Sequence, residues 1–201
     1  KSFYASVECV ELGLDPFEVN FVVADPTRGG GAITLAASPA IKKLGVSSRG
    51  RIFEIDPKIE YMITPPRMHL YMEYSCKVYK VFLEFIAKED IHVYSIDESF
   101  LDVTSYLKLY QVNAKELAKK MLDRIYEKTG LTATVGIGTN LYLAKIAMDI
   151  SAKHNADRMA YLNEDLYRQT LWHHTPMTDF WMLGNGTERR LHKLGIYDMY
   201  D

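Results

Sequence analysis

Two adjacent acidic residues between two short apolar runs constrain the fold of this chain most strongly. Residues 91–96 and 99–104 are rich in apolar side chains, and Asp97 and Glu98 lie between them. This pattern predicts two antiparallel strands joined by a tight turn that carries both carboxylates. Because like charges held close together repel, the pair favours a shared cation, and Mg²⁺ prefers such hard oxygen ligands. A solvated turn is the alternative interpretation.

The segments around this hairpin predict an α+β fold. Apolar positions at helical spacing indicate a helix over residues 67–87, and a second helix is expected over 114–128. Asn113 and Glu116 are typical of a reciprocal cap at the start of that second helix. A β-branched run at 131–137 adds a strand. If one more strand precedes the chain, the order is βαββαβ, the ferredoxin-like arrangement, whose two helices leave one face of the sheet open.

Shorter elements flank this unit on its N-terminal side. Residues 1–12 predict a helix that ends near Gly13, and residues 19–24 and 32–36 predict two short strands. Ser38-Pro39 has the cap and first-turn proline that open a helix. The consecutive prolines Pro65 and Pro66 mark a boundary, because they fit neither a helix interior nor a paired strand.

The composition excludes several classes of protein. Hydrophobic residues make up 48% of the 201 residues and charged residues 25%, which is typical of a globular protein and not of a disordered one. The formal net charge of −2 argues against a bulk-basic nucleic-acid binder. No apolar run approaches the ~20 residues of a membrane span, so no membrane partner is expected. Two distant cysteines favour a reducing compartment.

Five motifs then occur in a fixed order: FYASVE at 3–8, AASPAIKKLGV at 36–46, SIDESFLD at 95–102, TVGIGTNLYLAKIA at 134–147 and GNGTERRLHKLGI at 184–196. Together they resemble the Y-family translesion DNA polymerases, of the UmuC-like (ImpB/MucB/SamB) bacterial group. The resemblance implies a ferredoxin-like palm at residues 1–3 and 67–162, an inserted small fingers subdomain at 4–66 and a partial helix-hairpin-helix thumb at 163–201. The family's C-terminal little-finger domain lies outside this chain.

The resemblance also implies an activity: template-directed, low-fidelity DNA synthesis past damaged bases, by nucleotidyl transfer with two Mg²⁺ ions. Asp97 is then the catalytic ligand of both metals, and Glu98 the ligand of the metal that activates the primer 3′-hydroxyl. The family's third carboxylate falls two residues ahead of Lys1. Since the chain opens inside a motif and without Met, we expect a piece of a longer protein that binds metal poorly by itself. Asp102 is expected to be structural or solvated.

Five residues are assigned to the incoming nucleotide by the same resemblance: Ser2, Phe3, Tyr4, Lys42 and Lys153. Tyr4 is the expected steric gate, whose ring would collide with a ribose 2′-hydroxyl, although a core tyrosine is the alternative. The amides at the start of the first helix favour a triphosphate. Lys42 and Lys153 supply cations, and the match needs one extra residue ahead of Lys153.

The thumb residues expected to bind DNA are Gly184, Gly186, Arg189 and Arg190. Main-chain amides in such a hairpin contact phosphates without reading sequence. Met182 stands where the family has its first glycine, which predicts a distorted turn, and solvated helix charge is the alternative for the two arginines. The implied partners are primer-template DNA and dNTP, with a sliding clamp or a recombinase bound through regions outside this chain. We expect a bacterial cytoplasmic protein that works at the nucleoid.

Two other functions stay open at this point. A nucleotide cyclase also uses a ferredoxin-like palm with two metals, but Ser95-Ile96 stands where such enzymes carry two glycines. A non-catalytic DNA-binding or repair-complex protein derived from a polymerase would lack the first metal-binding aspartate. That position lies upstream of Lys1.

Overall fold

The computed structural model describes residues 2–201, so Lys1, which the predicted palm includes, lies outside the described residues. The chain divides into two compact units, one reaching to residue 101 and including 123–131, the other formed by 102–122 and 132–201. Both units contain helices and short strands, which confirms the predicted α+β class. None of the helices within residues 2–201 combines the length and the apolar character needed to cross a membrane.

The first unit opens with a helix and a three-stranded sheet. Its elements are α1 (Phe3–Glu11), β1 (Phe21–Val23), β2 (Ala36–Ala37), α2 (Pro39–Lys43) and β3 (Met62–Thr64). β1 lies in the centre, antiparallel to β2 and parallel to β3. Side chains of α1 and β1 form one apolar core, and β1, β2 and α2 contribute to a second.

The strand predicted over 32–36 is largely wrong. The ladder includes only Ala36 of that segment, and Ile33 forms an isolated bridge to Arg51. Alternate residues are nevertheless buried from 32 to 36, so the segment keeps the two-residue period of a strand. The short pairing partner at residues 50–52 limits the ladder.

The first unit continues with α3 (Met68–Leu83) and the predicted acidic hairpin, β4 (Ile91–Val93) and β5 (Ser99–Leu101). The two strands are antiparallel, with Ile91 opposite Leu101 and Val93 opposite Ser99. Both strands are shorter than predicted. The N–H groups of Tyr94 and Ser95 both donate to the carbonyl of Glu98 at 3.0 Å, which closes the turn early.

The second unit contains α4 (Thr104–Tyr110), β6 (Val135–Gly138), α6 (Leu141–Ile146), β7 (Met159–Leu162), α7 (Glu164–Leu171) and α8 (Asn185–Lys193). The remaining helix, α5 (Ala114–Thr129), contributes residues to both units. β6 and β7 are parallel neighbours. The sequence did not predict α4, β3 or β7.

Two glycines of β6 let its backbone lie directly against the helical segment that follows. A Cβ at Gly136 would stand 2.0 Å from the carbonyl oxygen of Ala144, and one at Gly138 would stand 2.3 Å from the amide nitrogen of Ala144. Both distances are far below van der Waals contact, so the chain needs glycine at these positions. This close packing fixes the helical segment between β6 and β7.

Candidate active site

The hairpin presents its two carboxylates at the turn between β4 and β5. Asp97 is exposed and Glu98 is half-buried. Ser95 Oγ donates to Asp97 Oδ1 at 3.0 Å, which orients that carboxylate. Within residues 2–201, no three His, Cys, Asp or Glu side chains converge as a metal site. The hairpin therefore offers part of a hard-oxygen ligand set, of the chemistry that suits Mg²⁺.

Tyr4 lies in the first turn of α1 and is electrostatically coupled to this hairpin. Its half-buried ring stacks on Tyr71, with centroids 4.3 Å apart and planes 9° from parallel. Burial first, and then the negative charge of Asp97, raises the pKa of Tyr4 above its ordinary value. Tyr4 is therefore packed on one side without being sealed in the core, as a gating ring requires.

The sequence analysis missed the residues that hold Tyr71. The Tyr71 hydroxyl donates to Glu8 Oε1 at 2.6 Å, and Arg67 Nε donates to both oxygens of Glu8 at 3.1 Å. Glu8 is only 2% exposed. Burial and the bond to Glu8 raise the pKa of Tyr71. Glu8 lies on the buried side of α1, and this position predicts that the acid has a cationic partner. Nothing in the sequence identifies that partner as Arg67.

A lysine of α2 reaches the start of α1. Lys42 Nζ donates to Ser2 Oγ at 2.6 Å, so a cation lies beside the cap position of α1. The first N–H groups of a helix have no intrahelical acceptor, and the helix dipole makes that end favourable for an anion. The first unit thus brings a cation and a helix N-terminus together, with Tyr4 in the first turn of the same helix.

Ser38 has a structural role at the start of α2. Its hydroxyl donates to the carbonyl of Val19 at 2.7 Å and accepts from the N–H groups of Phe21 and Ile41. The predicted cap of α2 is therefore confirmed. The same buried oxygen also ties α2 to the segment that leads into β1.

Lys153 lies in the second unit, at the end of an irregular helical segment. Residues 147–151 form a π-helical turn and 152–154 a 3₁₀ turn. A π turn accommodates one residue more than an α turn, which accounts for the extra residue ahead of Lys153. Lys153 Nζ donates to Asp149 Oδ1 at 2.8 Å. Desolvation acts to raise the pKa of Asp149, but its lysine partners bring it below the ordinary value.

The four residues expected to bind DNA lie at the N-cap of α8 and within this helix. Gly184 caps this nine-residue helix, and a Cβ at Gly184 or Gly186 would meet no described atom within 4 Å. The packing of the described chain therefore does not require these glycines. Arg189 and Arg190 are exposed, and within residues 2–201 their hydrogen bonds are local, to Asn185 and Thr187.

Met182 occupies the position of the family's first glycine. Its φ is +71°, the left-handed region that favours glycine. The turn keeps a glycine-like backbone even though the side chain is methionine. The distortion expected from the missing glycine stays a prediction.

The described fold is that of a Y-family DNA polymerase. The solved structure of a Y-family DNA polymerase chimera is similar to this chain, with a TM-score of 0.79 and 27% sequence identity. The similar region covers 98% of this chain and 56% of the chimera. The family model described as impB/mucB/samB matches residues 1–149, and the chain belongs to this family.

Curated relatives agree with this membership. The putative UV-damage repair protein UvrX of Bacillus subtilis (strain 168) is 38% identical over 98% of this chain and 46% of the relative. DNA polymerase IV 2 of the same organism is 35% identical over 98% of this chain and 47% of the relative. The chain therefore spans about half the length of these relatives, and the resemblance identified from its motifs is confirmed.

Proposed function

We propose that this chain forms the nucleotide- and metal-binding part of a low-fidelity, template-directed DNA polymerase that copies past damaged bases. The observation that carries the proposal is the arrangement in the first unit. There, the first turn of α1 lies within electrostatic reach of Asp97, and Lys42 is held at the start of the same helix. A triphosphate needs that cation and those amides, and the metals that accompany it need the carboxylates.

Asp97 and Glu98 are the residues that would hold two Mg²⁺ ions. When bound, the metals would lower the pKa of the primer 3′-hydroxyl and neutralise negative charge on the leaving pyrophosphate. Ser2 and Phe3 direct main-chain amides to the triphosphate, and Lys42 and Lys153 add positive charge. The Tyr4 ring, supported from below by Tyr71, excludes a ribose 2′-hydroxyl.

The division of the chain belongs to the same proposal. Residues 1–3 and 67–162 form the palm, 4–66 the fingers and 163–201 part of the thumb. The amides at Gly184 and Gly186, with Arg189 and Arg190, bind the phosphates of primer-template DNA. We place the protein in the bacterial cytoplasm at the nucleoid. Binding of a sliding clamp or a recombinase stays a prediction that comes from the family resemblance.

The test is primer extension by the natural full-length protein with Asp97→Ala. We expect extension to be abolished, with the thermal midpoint of unfolding within about 2 °C of wild type, because Asp97 is exposed and its loss leaves no cavity. Asp102→Asn is the matched control. This carboxylate accepts from the N–H of Thr104 at 3.0 Å in a local turn, so extension should be retained.

Each alternative has its own outcome. Undiminished extension by Asp97→Ala would contradict the metal-binding role. A wild-type protein that binds primer-template DNA and never extends it would be a non-catalytic relative. A cyclic nucleotide formed without primer would indicate a cyclase.

A further inference from the structure

We propose that Asp149 is a positioning residue that holds Lys153 ready for the triphosphate. The inference rests on the proposed function, in which Lys153 binds the incoming nucleotide. The contacts that support this positioning role lie within the second unit and are separate from those that support the proposed function. One carboxylate there is shared between two lysines, one lying four residues before it and one four residues after it in the segment that links β6 to β7.

The geometry is a fork with one lysine on each carboxylate oxygen. Asp149 Oδ1 accepts from Lys153 at 2.8 Å, and Asp149 Oδ2 lies 3.1 Å from Lys145 Nζ. Lys145 is 6% exposed, whereas Lys153 is 42% exposed. An ammonium group has three N–H donors. Among residues 2–201, Lys153 uses one of them on Asp149, which leaves two for phosphate oxygens.

The two lysines have different tasks because their burial differs. Lys145 is buried and pairs with Asp149, since a charge at that depth needs a partner. Two lysines share one carboxylate, so these three groups together carry one net positive charge. A ligand that takes up Lys153 does not leave Asp149 as an unpaired acid.

The base of the fork is rigid. Asp149 lies in the π turn, whose backbone is packed against β6. A Cβ at Gly136 would stand 2.4 Å from the amide nitrogen of Met148. A fixed carboxylate limits the rotamers of a side chain that is otherwise long and flexible, so part of the ordering cost of binding is met before the nucleotide arrives.

The test is steady-state kinetics of the full-length polymerase with Asp149→Asn. We expect the KM for dNTP to rise about fivefold, because a Lys153 without its anchor must be ordered by the ligand, while kcat stays within about twofold. Asp149→Glu should restore most of the affinity, since a Glu four residues ahead of a Lys is a favourable pair. Asp157→Asn, which removes the 2.7 Å partner of Lys115, is the matched control and should leave KM unchanged.

Removing Asp149 also strips a partner from buried Lys145, so a second variant separates folding from positioning. Asp149→Asn with Lys145→Met removes the carboxylate together with its buried cation, and we expect the same rise in KM with the folded structure retained. An unchanged or lower KM in this double variant, or the same rise in Asp157→Asn, would overturn the positioning role.

The Lys153→Ala background distinguishes the two proposals. There, adding Asp149→Asn should change KM by less than twofold, because the group to be positioned is gone. If Lys153→Ala raises KM and Asp149→Asn does not, the positioning role is wrong and nucleotide binding by Lys153 stands. If Lys153→Ala leaves KM unchanged, the binding role assigned to Lys153 fails, and the inference fails with it.

Discussion

Glu8 shows how a single buried acid can organise the side of a site that no motif describes. It lies on α1 one turn beyond Tyr4, and it accepts from both Tyr71 and Arg67. Through Tyr71 it supports the ring on which Tyr4 stacks. The FYASVE motif predicts the aromatic pair Phe3 and Tyr4 because these two residues are adjacent in the sequence. It cannot predict Arg67, because this partner is 59 positions away in the chain and only the folded packing brings it close.

Arg67→Met tests this network at the level of stability. The substitution leaves the 2% exposed Glu8 without its cation, and breaking a buried pair in this way costs about 3–5 kcal/mol. We expect the free energy of unfolding in urea to fall toward the lower end of that range, since Arg67 is itself half exposed. Adding Glu8→Gln should recover part of the loss.

The control for this prediction is the exposed pair of His69 and Glu73 on α3, the helix that follows Arg67. Glu73→Ala should change the free energy of unfolding by less than about 0.5 kcal/mol, as surface pairs do. Equal losses in Arg67→Met and Glu73→Ala would show that the Glu8 network contributes little to the fold.

At the scale of elements, the sequence predicts best what is decided locally. The Asn113 and Glu116 pair predicts the start of α5, and both halves of the cap form at 2.9 Å. The acidic turn between β4 and β5 is also set by neighbouring residues. By contrast, β3 and β7 each pair in parallel with a strand far away in sequence, and partly exposed side chains hide their apolar pattern. The π turn corresponds in the sequence to one extra residue ahead of Lys153. A sequence match detects such an extra residue, but it does not predict that the residue is accommodated inside a helical segment.

Asn113→Ala tests the cap of α5. The substitution removes the acceptor of the Glu116 N–H, and we expect it to lower the free energy of unfolding by about 1 kcal/mol. Lys120→Ala, an exposed change within the same helix, should lie within about 0.5 kcal/mol of wild type. Urea unfolding followed by circular dichroism measures both. A cap variant as stable as Lys120→Ala would show that tertiary contacts alone fix this helix end.

At the scale of the whole molecule, the positions of the charged groups matter more for DNA binding than the net charge does. A net charge of −2 gives no general attraction to DNA, so affinity has to come from local groups. The acids of the hairpin and the arginines of α8 occur in different units. The sequence indicates this separation because each charged group falls in its own motif. The four-residue spacing of Asp149 and Lys153 allows an ion pair, but whether it forms depends on the irregular turns at 147–154, which the sequence did not predict.

The salt dependence of DNA binding tests this separation in the full-length protein. Each phosphate contact that is lost reduces the slope of log K against log salt by about 0.9 on duplex DNA. Replacing both Arg189 and Arg190 by alanine should therefore flatten the slope by about 2, equally for unrelated sequences, because phosphate contacts carry no base readout. Lys88→Ala, an exposed lysine beside Glu89, should leave the slope unchanged. If Lys88→Ala flattens the slope as much as loss of an arginine does, or the double variant does not flatten it, α8 is not the local basic contact that we propose.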